Sequence, residues 1–395
     1  MPDLVQVQVL KGHEGQVWKA RWNPAGDRVI SCSGDKSIRL WSPEFPDSLI
    51  NNNASLASNS LNWVCLLKLD HAHKRAVRSV SFEPTKGIVF ASASFDGTCG
   101  IWDQNYSKEY ECVTVLEGHE NEVKGIDWSP SGNLLATCGR DKTIWVWEAI
   151  GDNEFECVGV LMEHTQDVKM LTWHPKEDIL VSASYDDTIR IWKESEDEWY
   201  SSAVLSGHSS TVWAVDFDPT GNYIASCSED STVKIWSNKN SHKSEELEFH
   251  NDSDWECVLT IPAGAHSRAI YSLSWSHHFA SPKLNSTLPD GSIVVENGYI
   301  ATGGSDNDIC IYKISSHLAP SSSITSQILT GPRNGLVDLS NYSLVKMEYQ
   351  LVSKIRNAHD CCDINSVSWN PNPARANWLA TSGDDDNVRI WHLSP

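Results

Sequence analysis

The sequence lacks the patterns that mark most enzymes and membrane proteins. Its 395 residues contain no glycine-rich phosphate loop, no Gly-x-Ser-x-Gly nucleophile turn and no isolated carboxylate pair. No apolar run approaches the width of a bilayer, and no opening stretch has the layout of a signal peptide. We therefore expect a non-catalytic protein of the cytosol, with the nucleus as a second compartment.

Positive charge is also scarce. The chain has 31 Lys and Arg against 52 Asp and Glu, which gives a formal net charge of −21. Such an excess of negative charge repels phosphate backbones and anionic lipid. We expect neither nucleic acid nor membrane among the partners.

The 11 cysteines include no Cys-x-x-Cys pair, so we expect neither a metal site nor a cofactor. Several cysteines instead recur at equivalent positions of a repeat, which predicts small buried side chains. These are Cys32, Cys138 and Cys227, three residues before an aspartate, and Cys112, Cys157 and Cys257, each in a Glu-Cys-Val stretch.

A cassette of four residue types recurs seven times in the same order. The histidines are His13, His73, His119, His164, His208, His266 and His359. Each hydroxyl lies four residues before an aspartate: Ser31, Ser92, Thr137, Ser182, Ser226, Thr302 and Thr381. The aspartates are Asp35, Asp96, Asp141, Asp186, Asp230, Asp306 and Asp385. Six residues after each comes a ring: Trp41, Trp102, Trp147, Trp192, Trp236, Tyr312 or Trp391.

The cassette is chemically self-consistent as a structural network, here called the staple. A buried Trp N–H can donate to the Ser or Thr oxygen, and that hydroxyl can donate to His. The aspartate can accept from the other imidazole nitrogen, so that every polar group is satisfied. Seven copies indicate repeat architecture, since one enzyme needs one site. Tyr312 in the sixth copy predicts a weaker staple.

A repeat of this length with a Gly-His start and a Trp end resembles the WD40 family, whose repeats fold as four-stranded propeller blades. The resemblance covers essentially the whole chain and implies an all-β protein, a single seven-bladed propeller over residues 1–395. Within residues 4–10, Val5 to Val9 alternate apolar and polar side chains, whereas the last repeat lacks a fourth strand. We expect these residues to complete the last blade. A further aromatic set should pack between the blades: Trp22, Phe82, Trp128, Trp173, Phe217, Trp275 and Trp369.

Four insertions interrupt the repeat spacing, at about 42–62, 237–254, 277–298 and 313–348. Their polar composition predicts flexible loops. Each follows the first or third strand of a blade, so all should leave from one face. The opposite face carries the histidine and aspartate turns; we call it the staple face. It remains free of insertions, as a binding surface would.

Two positions in each repeat should look out over the staple face: the residue before the aspartate and the second residue of the first strand. Blades two to four place cations and aromatics there, which is unexpected on so acidic a chain. Arginine and aromatic side chains suit an acidic and aromatic ligand. The predicted partner site is Arg140, Phe95, Tyr185, Arg78, Lys124, Lys169, Trp18, Trp213 and Tyr271. In the alternative, these cations form ordinary intramolecular pairs with Glu122 and Asp167.

Within WD40 proteins, the chain resembles the cytosolic iron–sulfur protein assembly family. The resemblance is carried by residues 117–124, 136–142, 164–169, 184–188 and 207–213. It implies a docking subunit that helps to deliver clusters to cytosolic and nuclear apo-proteins. The implied partners are a small adaptor with a reactive cysteine, a HEAT-repeat protein, an iron-only-hydrogenase-like cluster carrier and the client proteins. Some clients of that family end in an acidic-aromatic tail, and its exposed arginine matches Arg140.

Two other classes of propeller are alternative predictions: a substrate receptor of a ubiquitin ligase and a chromatin-type peptide reader. Ligase receptors often carry Trp-Asp-x-Arg after the third strand. The one Trp-Asp here, Trp102-Asp103, continues with Gln104 and Asn105, so that feature is absent.

Overall fold

Short antiparallel strands account for nearly all regular structure in the computed structural model. It describes residues 2–44, 62–151, 153–196, 198–238, 255–276, 283–288, 291–320 and 342–394. Blade one is β2 (Val17–Trp22), β3 (Val29–Ser33), β4 (Ile38–Glu44) and β5 (Asn62–Leu69). Blade two is β6 (Val77–Phe82), β7 (Phe90–Ser94), β8 (Thr98–Gln104) and β9 (Tyr110–Glu117). Blade three is β10 (Val123–Trp128), β11 (Leu134–Gly139), β12 (Ile144–Gly151) and β13 (Glu154–Leu161).

The remaining blades follow the same order from the innermost strand outwards. Blade four is β14 (Val168–Trp173), β15 (Leu180–Ser184), β16 (Thr188–Ser195) and β17 (Glu198–Ser206). Blade five is β18 (Val212–Phe217), β19 (Tyr223–Ser228), β20 (Val233–Asn238) and β21 (Trp255–Ile261). Blade six is β22 (Ile270–Trp275), β24 (Ile293–Gly304), β25 (Ile309–Pro320) and β26 (Tyr342–Ile355), with β23 (Lys283–Thr287) on β24. Blade seven is β27 (Ile364–Trp369), β28 (Trp378–Gly383), β29 (Asn387–Ser394) and β1 (Asp3–Lys11), with a 3₁₀ turn at Pro373–Arg375. The seven-bladed propeller is confirmed.

The amino-terminal strand closes the ring, as its alternating pattern predicts. β1 pairs antiparallel with β29 from Asp3 opposite Ser394 to Lys11 opposite Asn387, with a bulge between Gln6 and Gln8. Leu4 packs with the core shared by blades six and seven, whereas Leu10 packs with that of blades seven and one. The strand thus covers the edge of the last blade and joins it to the first.

Apolar clusters fill the wedges between neighbouring blades. The aromatic set predicted to pack there is buried throughout: Trp22, Phe82, Trp128, Trp173, Phe217, Trp275 and Trp369. Among the described residues, no helix has the length and apolarity that crossing a membrane requires.

Two of the four insertions contain strands, so the expectation of flexible loops is wrong for them. Within 277–298, β23 pairs with the start of β24, and within 313–348 the strands β25 and β26 extend the blade. Ile293, Val295 and Leu318 are buried in a separate small cluster on this extension. These three apolar residues form too short an alternating pattern to indicate a strand within an otherwise polar segment. Most of 42–62 and 237–254 lies outside the described residues.

The cysteine prediction is half right. Cys32, Cys138 and Cys227 are buried on the second strands of their blades. Cys112, Cys157 and Cys257 are exposed, as is Cys65, because they lie on the outermost strands. Equivalent repeat positions are shared in both cases, but only the inner strands have a blade packed on each side.

Candidate docking face and central channel

The staple is formed in all seven blades. In blade four, His164 Nδ1 lies 2.8 Å from Asp186 Oδ2 and Nε2 lies 2.8 Å from Ser182 Oγ, which also accepts the Trp192 N–H at 2.8 Å. The other histidine–aspartate distances are 3.0 Å for His13–Asp35, 3.3 Å for His73–Asp96, 2.8 Å for His119–Asp141, 2.9 Å for His208–Asp230, 2.9 Å for His266–Asp306 and 2.7 Å for His359–Asp385. Trp41, Trp102, Trp147, Trp236 and Trp391 donate to their hydroxyls in the same way.

Burial separates these sets from catalytic triads. Each staple hydroxyl is 0% exposed, from Ser31 in blade one to Thr381 in blade seven. A nucleophile must reach its substrate, whereas these oxygens are enclosed by His, Trp and backbone. Burial alone would raise the pKa of Asp186, but hydrogen bonds from His164 and Thr188 outweigh it and hold that pKa well below its usual range. The carboxylates are thus kept ionised as acceptors.

Blade six keeps its staple despite the tyrosine. His266 Nε2 lies 2.7 Å from Thr302 Oγ1, and Nδ1 contacts both carboxylate oxygens of Asp306 at 2.9 and 3.1 Å. Burial lowers the pKa of His266, but the hydrogen bond to Asp306 overcomes this and raises it to about 9. The raised pKa favours the charged form of this histidine. Tyr312 is buried at the tryptophan position.

Arg140 lies on the staple face, in the turn between the second and third strands of blade three. Its backbone N–H donates to the Glu122 carbonyl at 2.9 Å, which fixes the turn. Its guanidinium Nη1 lies 3.2 Å from a Glu122 carboxylate oxygen, while its side chain stays 57% exposed. Arg75 reaches the same carboxylate at 3.2 Å from blade two. Two arginines thus share one carboxylate, which leaves a net positive charge.

Phe95 and Tyr185 lie on either side of these arginines. Arg75 donates to the Phe95 carbonyl at 2.7 Å and lies 5.9 Å from its ring centre. Tyr185 is exposed, and a shallow depression of about 400 Å³ extends between it, Phe95 and Arg140. An aromatic group could pack against these rings beside an exposed guanidinium.

The two lysines lie further inwards and share Asp167. Lys124 contacts this carboxylate directly, and Lys169 Nζ lies 3.8 Å from it. Lys169 Nζ also lies 4.7 Å from the ring centres of both Tyr185 and Trp213. The ion pairs with Glu122 and Asp167 that the alternative interpretation predicts are therefore both present. They neutralise the cations only in part.

The other predicted residues ring the mouth of the central channel instead of the outer face. Arg78 stacks over the Trp18 ring at 5.1 Å, and Trp18 lies 6.4 Å from Phe95. Trp213 and Tyr271 meet edge to face at 4.9 Å on the far side. The predicted set is thus one continuous surface from Arg140 to the channel.

Sequence reasoning missed Arg75, Lys19 and Arg21. Arg75 lies two residues after His73, the blade-two histidine. A comparison of that position across all seven repeats would have identified it. Lys19 and Arg21 lie on the innermost strand of blade one and line the channel. Among the described residues, no group of three His, Cys, Asp or Glu is arranged to hold a metal ion.

Comparison with known proteins agrees with this architecture. The family model described as "WD domain, G-beta repeat" matches residues 4–42, 63–103, 110–148, 155–193, 199–237 and 350–392. The chain belongs to the WD40-repeat family. The longest unmatched stretch, 238–349, holds the outermost strand of blade five and most of blade six of this WD40 propeller, with its tyrosine and its inserted strands.

Several relatives carry a common name. A protein of Eremothecium gossypii named "Probable cytosolic iron-sulfur protein assembly protein 1" is 38% identical over 375 residues, 93% of this chain and 97% of that protein. A Candida glabrata protein of the same name is 35% identical, with 97% of each chain covered. "Protein CIA1" of Arabidopsis thaliana is 39% identical over 123 residues, 29% of this chain and 31% of that protein. The resemblance to this family is confirmed.

Proposed function

We propose that this WD40 protein is a non-catalytic docking subunit of the cytosolic iron–sulfur cluster targeting machinery. It helps to deliver clusters to cytosolic and nuclear apo-proteins by binding proteins and peptides on its staple face. The names of relatives that span nearly the whole chain support the pathway. The observation that carries the site is the exposed, half-neutralised Arg140 between two aromatic side chains on a chain of net charge −21.

The proposed partners follow from the family resemblance. They are a small adaptor with a reactive cysteine, a HEAT-repeat protein, an iron-only-hydrogenase-like cluster carrier and the apo-protein clients. In this role the cluster is cargo, so the propeller needs no metal site of its own. Its task is to hold partners in register on a rigid ring.

The charge pattern suits a peptide that ends in acidic and aromatic residues. A peptide carboxylate can approach Arg140 while Arg75 continues to neutralise Glu122. Binding therefore leaves no buried charge without a partner. The aromatic side chain of the peptide would occupy the depression between Phe95 and Tyr185. Lys124 and Lys169 add positive potential further inwards, since the two share only Asp167.

The direct test is fluorescence anisotropy with a labelled peptide that ends in an acidic-aromatic tail. Arg140→Glu should weaken binding roughly tenfold to a hundredfold, because one charge-assisted contact becomes a repulsion. The matched control is Arg268→Glu, which changes another exposed arginine of the staple face, in the loop after His266 of blade six. Equal affinity of the Arg140→Glu and Arg268→Glu proteins would remove the proposed site. Binding of a tail-less peptide with the same affinity would remove the proposed ligand.

A further inference from the structure

Behind the docking face, the central channel carries an unusual set of charges. The innermost strands enclose a cavity of about 250 Å³. Arg78, Lys124 and Lys169 line its mouth, from the second position of the first strand in three successive blades. Lys19, one residue further along its strand, also lines it. Four cations from four blades thus converge on one small space.

Aromatic rings and a hydroxyl hold these cations in place. Arg78 lies over Trp18, and Lys169 lies between the rings of Tyr185 and Trp213. Lys19 donates to Ser79 Oγ at 3.3 Å. Among the described residues, no carboxylate oxygen lies within the 4 Å of an ion pair from the Lys19 ammonium or the Arg78 guanidinium. Asp167 serves both Lys124 and Lys169.

The carboxylates deeper in the channel are already engaged. Asp127 accepts from Arg21 at 2.8 Å and from Ser81 at 2.8 Å. Asp216 accepts the Trp275 backbone N–H at 2.8 Å, and Asp218 accepts from Thr220 and from the Tyr223 N–H. The upper channel therefore contains four basic side chains, of which two share Asp167, while the charge of Asp384 acts on Arg78 without forming an ion pair.

Burial and, to a smaller extent, the neighbouring cations lower the pKa of two of these lysines. Burial, together with smaller effects of Arg21 and Arg78 and against the opposing effect of Asp127, lowers the pKa of Lys19 to about 7. Burial likewise lowers the pKa of Lys169 to about 8, and the charge of Lys124 acts in the same direction. Clustered cations of this kind are relieved by an anion placed among them.

We propose that the upper channel binds a small, multiply charged oxyanion, a free phosphate or diphosphate group held by Lys19, Arg78, Lys124 and Lys169. Arg78 offers forked donors and the lysines offer point charges, the combination that phosphate recognition uses. The half-buried rings of Trp18, Trp213 and Tyr271 narrow the mouth, which favours a small free molecule over a folded partner. This site lies deeper than Arg140, and its occupation does not depend on the docking role.

Titration calorimetry of the full chain with sodium pyrophosphate tests the site, with total ionic strength held constant by sodium chloride. Saturable binding of one pyrophosphate per chain is expected. Lys19→Met should weaken it about tenfold or more, because a charge-assisted contact to the oxyanion is lost. The matched control is Lys74→Met, which removes an exposed lysine from a loop of the same face. It should leave the affinity unchanged.

Further variants separate this site from the docking face. Lys169→Met is a second channel variant, in case Lys19→Met fails to fold. Circular dichroism checks that both variants have the native fold. Arg140→Glu should keep pyrophosphate binding even as it loses the peptide. Absence of saturable binding, retention of it in both folded channel variants, or equal loss in Lys74→Met would overturn the proposal. A phosphoserine peptide that bound more tightly than pyrophosphate would overturn its assignment to a small free molecule.

Discussion

Leu4 and Leu10 are the two buried side chains of β1, and Leu10→Ala measures the contribution of the second to closure of the ring. Leu10 is 2% exposed and packs with Val17 and Trp63 of blade one and with Val388 of blade seven. Truncating a buried leucine to alanine costs about 2–5 kcal/mol, through lost burial and the cavity that remains. Since domains are stable by only about 5–15 kcal/mol, this is a large fraction. Urea unfolding followed by circular dichroism should show the loss as a lower midpoint at unchanged slope.

A control lies on the same strand. Val5 is 49% exposed, so Val5→Ala should change the free energy of unfolding by no more than about 0.5 kcal/mol. Leu4 packs in the separate core of blades six and seven, about 20 Å along the strand from Leu10, so Leu4→Ala should add to Leu10→Ala without coupling. Equal, small effects of Leu10→Ala and Val5→Ala would refute closure by β1. Deletion of residues 2–11 without a lower melting temperature would refute it as well.

Three further predictions concern the staples and the thiols. Ser182→Ala should destabilise the chain by about 1–3 kcal/mol in urea unfolding, because Trp192 and His164 lose a buried partner; no change would show that the staple is dispensable. The staple carboxylates have folded pKa values below their unfolded value of about 3.9, so they stabilise the fold above that pH and lose this as the pH falls. The melting temperature should therefore drop between about pH 5 and pH 3, and less so in Asp186→Asn; an equal drop in this variant would contradict the assignment. A thiol reagent should modify the exposed cysteines rapidly in the native chain, and the buried ones only after denaturation. The exposed set is Cys65, Cys112, Cys157, Cys257 and Cys361, and the buried set is Cys32, Cys99, Cys138, Cys227 and Cys310.

Repetition explains why so much of the fold could be predicted from one sequence. Seven copies of the cassette average out local ambiguity, and the hydroxyl and the tryptophan that donates to it lie ten residues apart in the chain each time. The missing fourth strand of blade seven was equally visible, because Val5 to Val9 alternate and have no earlier blade to join. Strand β23 and the extensions of β24, β25 and β26 into the insertions were missed where the repeat is broken, since a polar insertion offers no second copy for comparison.

The candidate site was less accessible to sequence reasoning. Repeat register places Arg140, Phe95 and Tyr185 on one face, but it does not say which carboxylate each cation meets. That Arg75 and Arg140 share Glu122 depends on side-chain reach between blades two and three. The channel was missed for a related reason: a bulge shifts the pairing of β2 with β3 between Val17 and Lys19, so simple alternation along the strand does not predict which way Lys19 points.

The most direct test of docking through the staple face is radioactive iron incorporation into a cytosolic iron–sulfur protein, measured in cells depleted of this WD40 chain. Depletion should lower incorporation, and the unaltered chain should restore it. Arg140→Glu, expressed at the same level, should fail to restore it, whereas Arg268→Glu should succeed. Full restoration by Arg140→Glu would contradict the staple face as the functional surface, and normal incorporation after depletion would contradict the role itself.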